Sequence, residues 1–138
     1  GRLSTIVRDG DSFGPLLRQV LPPGITDGEL DRFFPVMQAL VERGDPVNYA
    51  GYILGNRLPA EDYAIPSVLM QVAIGDATIP NTASNALARA MGITHVQPVL
   101  QTVGLIDTKP APLSGNVADG NATAGFFQFG SLVDLSPA

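Results

Sequence analysis

The chain has 138 residues, 45% hydrophobic and 15% charged, with a formal net charge of −5. Its length supports one domain with a modest core, and its composition excludes an intrinsically disordered tail. The acidic balance and the lack of any Lys/Arg cluster exclude a nucleic-acid surface, while the absence of cysteine excludes disulfides and thiolate metal sites.

Residues 1–25 are mixed in character. GRLSTIVRDGD carries no signal-peptide profile and no initiating methionine, which suggests a mature product or a fragment. Phe13, Leu16, Leu17, Val20 and Leu21 recur at helical spacing, and Pro22-Pro23-Gly24 stops that helix. Thr26 followed by Glu29 is a capping-box signature. It opens an amphipathic helix through Leu30, Phe33, Phe34, Met37, Leu40 and Val41, ended by Gly44 and either kinked or divided at Pro35. Asp45-Pro46 repeats the start signal for a short helix with Val47, Tyr49, Ala50, Ile53 and Leu54. Gly55 to Ile65 reads as a loop, so residues 1–65 form a helical segment.

The second part, residues 66–138, changes period. Val68–Ile74 shows no polar–apolar alternation, the pattern of a strand buried on both faces. Pro80 or Asn81 opens a helix through Met91, ended by Gly92. Val96–Val103 reads as extended, a Pro/Gly/Ser/Asp-rich loop reaches about Asn121, and Ala122–Phe129 is a second strand. The tail from Leu132 is weakly patterned. A buried strand, a helix and another strand make a parallel-sheet unit, so the expected class is α/β. In open α/β sheets working residues gather at the carboxyl ends of strands. Asp76, in the turn after the first strand, stands at such an end. No apolar run is long enough to span a bilayer.

The stretch VLMQVAIGD, followed by ATIPN and then TASNALARAMG, resembles the C-terminal part of an α/β-hydrolase of the bacterial lipase/esterase kind. In that family a late buried strand leads into a Gly-Asp turn, and the aspartate is the acid of the catalytic triad. The resemblance maps this role onto Asp76. The preceding FFPVMQALVERGDPVNYAGYIL resembles the cap or lid of such enzymes. A partial α/β-hydrolase fold, with a helical cap (1–65) before a strand–helix–strand core portion (66–138), is what the resemblance implies. The family's Gly-x-Ser-x-Gly elbow is absent, and PLSGN around Ser114 does not fit it. No histidine follows the last strand either. The serine and histidine are therefore expected on another chain or on other segments of the same hydrolase, and Gly1 and Ala138 are expected to be ends left by proteolytic nicking in exposed loops. An ester or lipid substrate, and secretion or a cell-envelope location, come from the same resemblance.

Each candidate has a plainer reading. Asp76 is the triad acid or a cap for the turn that follows it. His95, the single histidine, is expected at the surface or a helix end, away from catalysis. Asp45 orients a lid or, more simply, caps a helix. Tyr49, Tyr52, Phe33 and Phe34 line an acyl pocket or are ordinary core. Asn121-Ala122-Thr123 matches a glycosylation sequon, a pattern common by chance. The glycines form no phosphate-binding fingerprint, and scattered carboxylates with one histidine give no metal site, so no cofactor is expected. The competing class is a non-catalytic α/β interaction domain that binds a partner through an apolar face. Exposure separates the two: a hydrolase portion leaves a sheet edge and an apolar face open, whereas a self-contained domain buries both.

Overall fold

A computed structural model describes residues 2–55 and 64–130. Four of its helices come first: α1 (Leu3–Asp9), α2 (Gly14–Val20), α3 (Asp27–Val41) and α4 (Val47–Leu54). Then follow β1 (Val68–Ala73), α5 (Asn81–Met91), β2 (Thr94–Val96), β3 (Thr108–Lys109) and β4 (Ala124–Phe129). The four strands form one sheet in the order β1-β4-β2-β3, with every pairing parallel. The chain is thus α/β, as its periodicity indicates.

Local chemistry sets most of the boundaries. The Thr26 hydroxyl accepts from the Glu29 N–H at 3.3 Å, and the Glu29 carboxylate accepts from the Thr26 N–H at 2.9 Å, closing the capping box that starts α3. The Thr26 N–H bond, with a second from the Thr26 hydroxyl to the same carboxylate at 2.8 Å, holds the Glu29 carboxyl below its ordinary range. Pro35 neither breaks nor divides the helix, because α3 runs unbroken to Val41. Helix α5 stops at Gly92, as its sequence pattern indicates.

Two expectations for the helical segment need revision. Helix α1 lies in the stretch read only as mixed, and its seven residues carry no acidic first turn or side-chain cap to announce it. Along α3 only Leu30 and Phe34 are buried, while Phe33 and Leu40 face outward. The loop expected over Gly55–Ile65 and the tail from Leu132 fall largely outside the described residues.

The core lies between α4, α5 and one face of the sheet. Ala50 of α4, Ala88 and Met91 of α5, Val72 of β1, Ile93, and Ala124 and Phe126 of β4 pack together. One core therefore spans residues from both the helical and the strand-bearing parts. Burial of this kind stabilises by about 25 cal/mol per Å² of apolar surface.

The sheet's other face differs from the expectation. Val68–Ile74 looks buried on both sides, yet Leu69 is 63% exposed, and Gln71 and Ala73 are exposed too. Phe129 of β4 is 48% exposed on that same face. Val68, Met70 and Val72 point the other way, into the core. Strand β1 is also the edge of the sheet among the described residues. Its sequence, apolar but for Gln71, is suited to cover on both faces, but the described residues leave the face of Leu69, Gln71 and Ala73 exposed. Of the segment expected to be extended over Val96–Val103, only Val96 lies in a strand, as the last residue of β2.

Candidate functional site

The carboxyl end of β1 is built by short-range hydrogen bonds. The ladder continues one residue past the strand, where the Ile74 N–H donates to the Phe129 carbonyl at 2.8 Å. Gly75 then turns the chain with φ +79°, a conformation that a Cβ would strain. Asp76 follows, exposed, and its Oδ1 accepts from the N–H groups of Thr78 at 2.8 Å and Ile79 at 3.0 Å. These two bonds favour the ionised form and hold the Asp76 carboxyl below the ordinary carboxylate range. Oδ2 has no hydrogen bond among the described residues. Asp76 thus satisfies its own turn with one oxygen and keeps the other free.

Asn81, the first residue of α5, clamps this turn from behind. Its Oδ1 accepts from the Gly75 N–H at 2.8 Å, and its Nδ2 donates to the Ala73 carbonyl at 2.7 Å. One side chain therefore ties the end of β1 to the start of α5 and fixes the base of the loop carrying Asp76. The sequence starts the helix at Pro80 or Asn81 and gives Asn81 no further role. Its signal was an amide following the Gly-Asp turn at the distance needed to reach back over it.

The helical segment touches the same turn. The Asp11 N–H donates to the Ala77 carbonyl at 2.8 Å, and Gly10 lies so close that a Cβ there would stand 2.9 Å from the Thr78 carbonyl oxygen. The connection between α1 and α2 is thereby seated on the Asp76 loop. Behind it Asp45, 1% exposed, joins three helices. Its carboxylate accepts from the Leu3 N–H at 3.0 Å, the Gln38 amide at 2.8 Å and the Val47 N–H at 3.0 Å. Burial pushes the Asp45 carboxyl up, but the bonds from Gln38, Val47 and Leu3 more than offset it and leave it below the ordinary range. Asp45 stands one residue before the N-cap Pro46 of α4, accepts from the helix's first N–H at Val47, and also ties in α1 and α3.

The remaining candidates lie elsewhere. His95 is not at the surface: it sits in β2, 1% exposed, with its ring 4.8 Å from that of Phe126. Burial pushes its imidazole pKa down, the Gln128 side chain opposes this, and Nε2 has no hydrogen-bond partner among the described residues. The β4 strand lies between it and β1, so His95 and Asp76 do not meet. Phe33, Tyr49 and Tyr52 are exposed, whereas Phe34 is buried and lines a cleft, beneath the Arg8 guanidinium. They form no shared acyl pocket among the described residues. Ser114 lies in the loop between β3 and β4, not on a strand-to-helix elbow.

Comparison with family models, with curated proteins and with solved structures finds no match to this chain. The geometry must speak for itself. A carboxylate with one oxygen anchored and one free, at the carboxyl end of a parallel strand, can orient an imidazole and stabilise its protonated form. Among the described residues no group with a metal-binding arrangement accompanies it.

Proposed function

We propose that this chain is the cap and late-strand portion of a serine α/β-hydrolase that cleaves carboxylic esters or lipids, with Asp76 as the acid of its triad. The observation that carries this reading is the half-satisfied Asp76 carboxylate at the carboxyl end of β1. A triad acid must be fixed by its own backbone while leaving an oxygen for the histidine Nδ1–H. The parallel neighbour β4 ends beside it, Phe129 facing Ala73 across the ladder. In the family that Asp76 resembles, the loop after this neighbour strand brings the histidine to the acid.

Two further features support the reading over a self-contained interaction domain. Strand β1 leaves its outer edge and the face bearing Leu69, Gln71 and Ala73 open among the described residues, where parallel sheets are normally covered on both faces. More of the hydrolase sheet and its helices would cover them. The α1–α2 connection seated on the Asp76 loop also puts the helical segment at the strand ends, where a cap over an active site belongs. The nucleophilic serine, the histidine and the oxyanion hole are supplied from outside the described residues. In the reaction Asp76 holds the histidine in the tautomer that accepts the serine proton, then stabilises the imidazolium.

The test is ester turnover by the complete enzyme carrying Asp76→Asn. The amide keeps the shape and one acceptor but loses the charge, and kcat is expected to fall by about four orders of magnitude. An unchanged far-UV circular dichroism spectrum guards against simple unfolding. Near-normal turnover by the folded variant would sink the assignment.

A further inference from the structure

On the side of the helical layer between α1 and α5 lies a cleft of about 410 Å³. Three of the chain's eight cationic side chains line it: Arg2 just before α1, Arg8 in α1 and Arg89 in α5. Asp9 is the single carboxylate among the lining residues, leaving the cleft a formal charge of +2 in a chain whose net charge is −5. Concentrating like charges against the trend of the whole molecule costs free energy unless an opposite charge relieves it.

The chain's own carboxylates do not do so. Arg8 pairs with Asp9 and reaches Asp31 at 3.6 Å. Arg2 and Arg89 make no side-chain hydrogen bond or ion pair with any described residue, although exposed carboxylates are plentiful. Positions 2, 8 and 89 are brought to one cleft only by the packing of α1 against α5. Thr5 and Thr82 add hydroxyl donors to the same lining. The neighbouring groove, toward α3, shares Arg2 and Arg8 but adds Asp31, Glu42 and Asp45, so its formal charge is −1, and the positive excess lies on the side that Arg89 closes.

We infer that this cleft binds a small phosphate-bearing ligand, a phosphomonoester or diphosphate. Guanidinium forks pair bidentately with oxyanions. A phosphate offers three terminal oxygens in a tetrahedral array, which cations carried by two separate helical elements can share, whereas a carboxylate offers two in one plane. A phosphate dianion also matches the +2 charge. The cleft volume falls within the range of small-ligand sites. Arg2 and Arg89 are the residues that would gain partners, with Arg8 held in orientation by Asp9.

Isothermal titration with pyrophosphate, and separately with succinate, at constant ionic strength tests the assignment. Saturable pyrophosphate binding at one site per chain is expected. The double variant R2Q/R89Q should weaken it at least about tenfold, since charge-assisted bonds are lost. The control R18Q/R43Q, which removes the same charge elsewhere, should not. Should R2Q/R89Q fail to fold, Arg89→Lys keeps the charge without the planar fork and is expected to weaken binding several-fold. Absence of saturable binding overturns the proposal, as does equal weakening in control and test variants. So does unchanged affinity in Arg89→Lys where that variant decides, or succinate binding as tightly as pyrophosphate. None of these readouts involves ester turnover, so this inference and the hydrolase reading can fail separately.

Discussion

At the scale of single residues, the turn after β1 depends on two side chains with different duties. Asp76 folds its own loop down onto one carboxylate oxygen, and Asn81 staples the base of that loop to the strand. Removing Asn81 leaves the Gly75 N–H and the Ala73 carbonyl without their side-chain partner. Each such bond is worth about 0.5–1.5 kcal/mol net. Asn81→Ala is therefore expected to cost about 1–3 kcal/mol by urea unfolding. Asn81→Asp keeps an acceptor for Gly75 but has no donor for Ala73, and is expected to fall between the two. Equal stability of all three proteins would show that the clamp contributes nothing. Asp76 itself was legible because a lone carboxylate after an apolar strand is a local pattern. The division of labour between its two oxygens was not, since it depends on where the N–H groups of Thr78 and Ile79 come to rest.

At the scale of elements, what could be read from sequence depended on how far the deciding contact lay along the chain. The start of α3 was legible because the capping box closes within four residues. Helix α5, its stop at Gly92, and the parallel pairing of β1 with β4 also follow from local periodicity and connection rules, whereas the insertion of β4 between the two strands that flank α5 does not. The misreadings share one cause. The outward face of β1, the burial of His95 in β2 and the seating of α1 all depend on contacts between distant segments. Apolar letters cannot say which face receives cover. The contact between the α1–α2 connection and the Asp76 loop is the sharpest case, because nothing near Gly10 announces it. A methyl group at Gly10 would stand 2.6 Å from the Ile6 carbonyl oxygen and 2.9 Å from that of Thr78, both backbone atoms that cannot swing aside. Gly10→Ala is therefore expected to push the end of α1 off the Asp76 loop. Amide hydrogen exchange should then accelerate at Asp11, whose N–H is bound to the Ala77 carbonyl, while the β1–β4 ladder stays protected. Unchanged exchange at Asp11 would mean that the two segments are not mechanically joined.

At the scale of the whole molecule, acid stability is set by two kinds of group that act in different pH windows. Asp45, Asp76 and Glu29 have folded-state pKa values held below their ordinary ones. Their stabilisation is present above the unfolded carboxylate range and is lost only as the pH falls toward the lower folded values. His95 acts earlier. Its folded pKa is pushed below the ordinary 6.5 because charging it would place an imidazolium in the core beside Phe126. Between its unfolded and folded values the unfolded chain binds the proton and the folded chain does not. Acidification below about 6.5 therefore draws the equilibrium toward unfolding. A histidine that gained a partner for its charge would act in the opposite sense. His95→Gln, neutral throughout, is expected to flatten the fall in urea-unfolding free energy between about pH 6.5 and 5 while leaving the carboxylate-driven loss at lower pH in place. The slope in that interval is the measurement, because a simple packing defect would lower the whole curve without changing its shape. A slope as steep in His95→Gln as in the native protein would place the titrating group elsewhere.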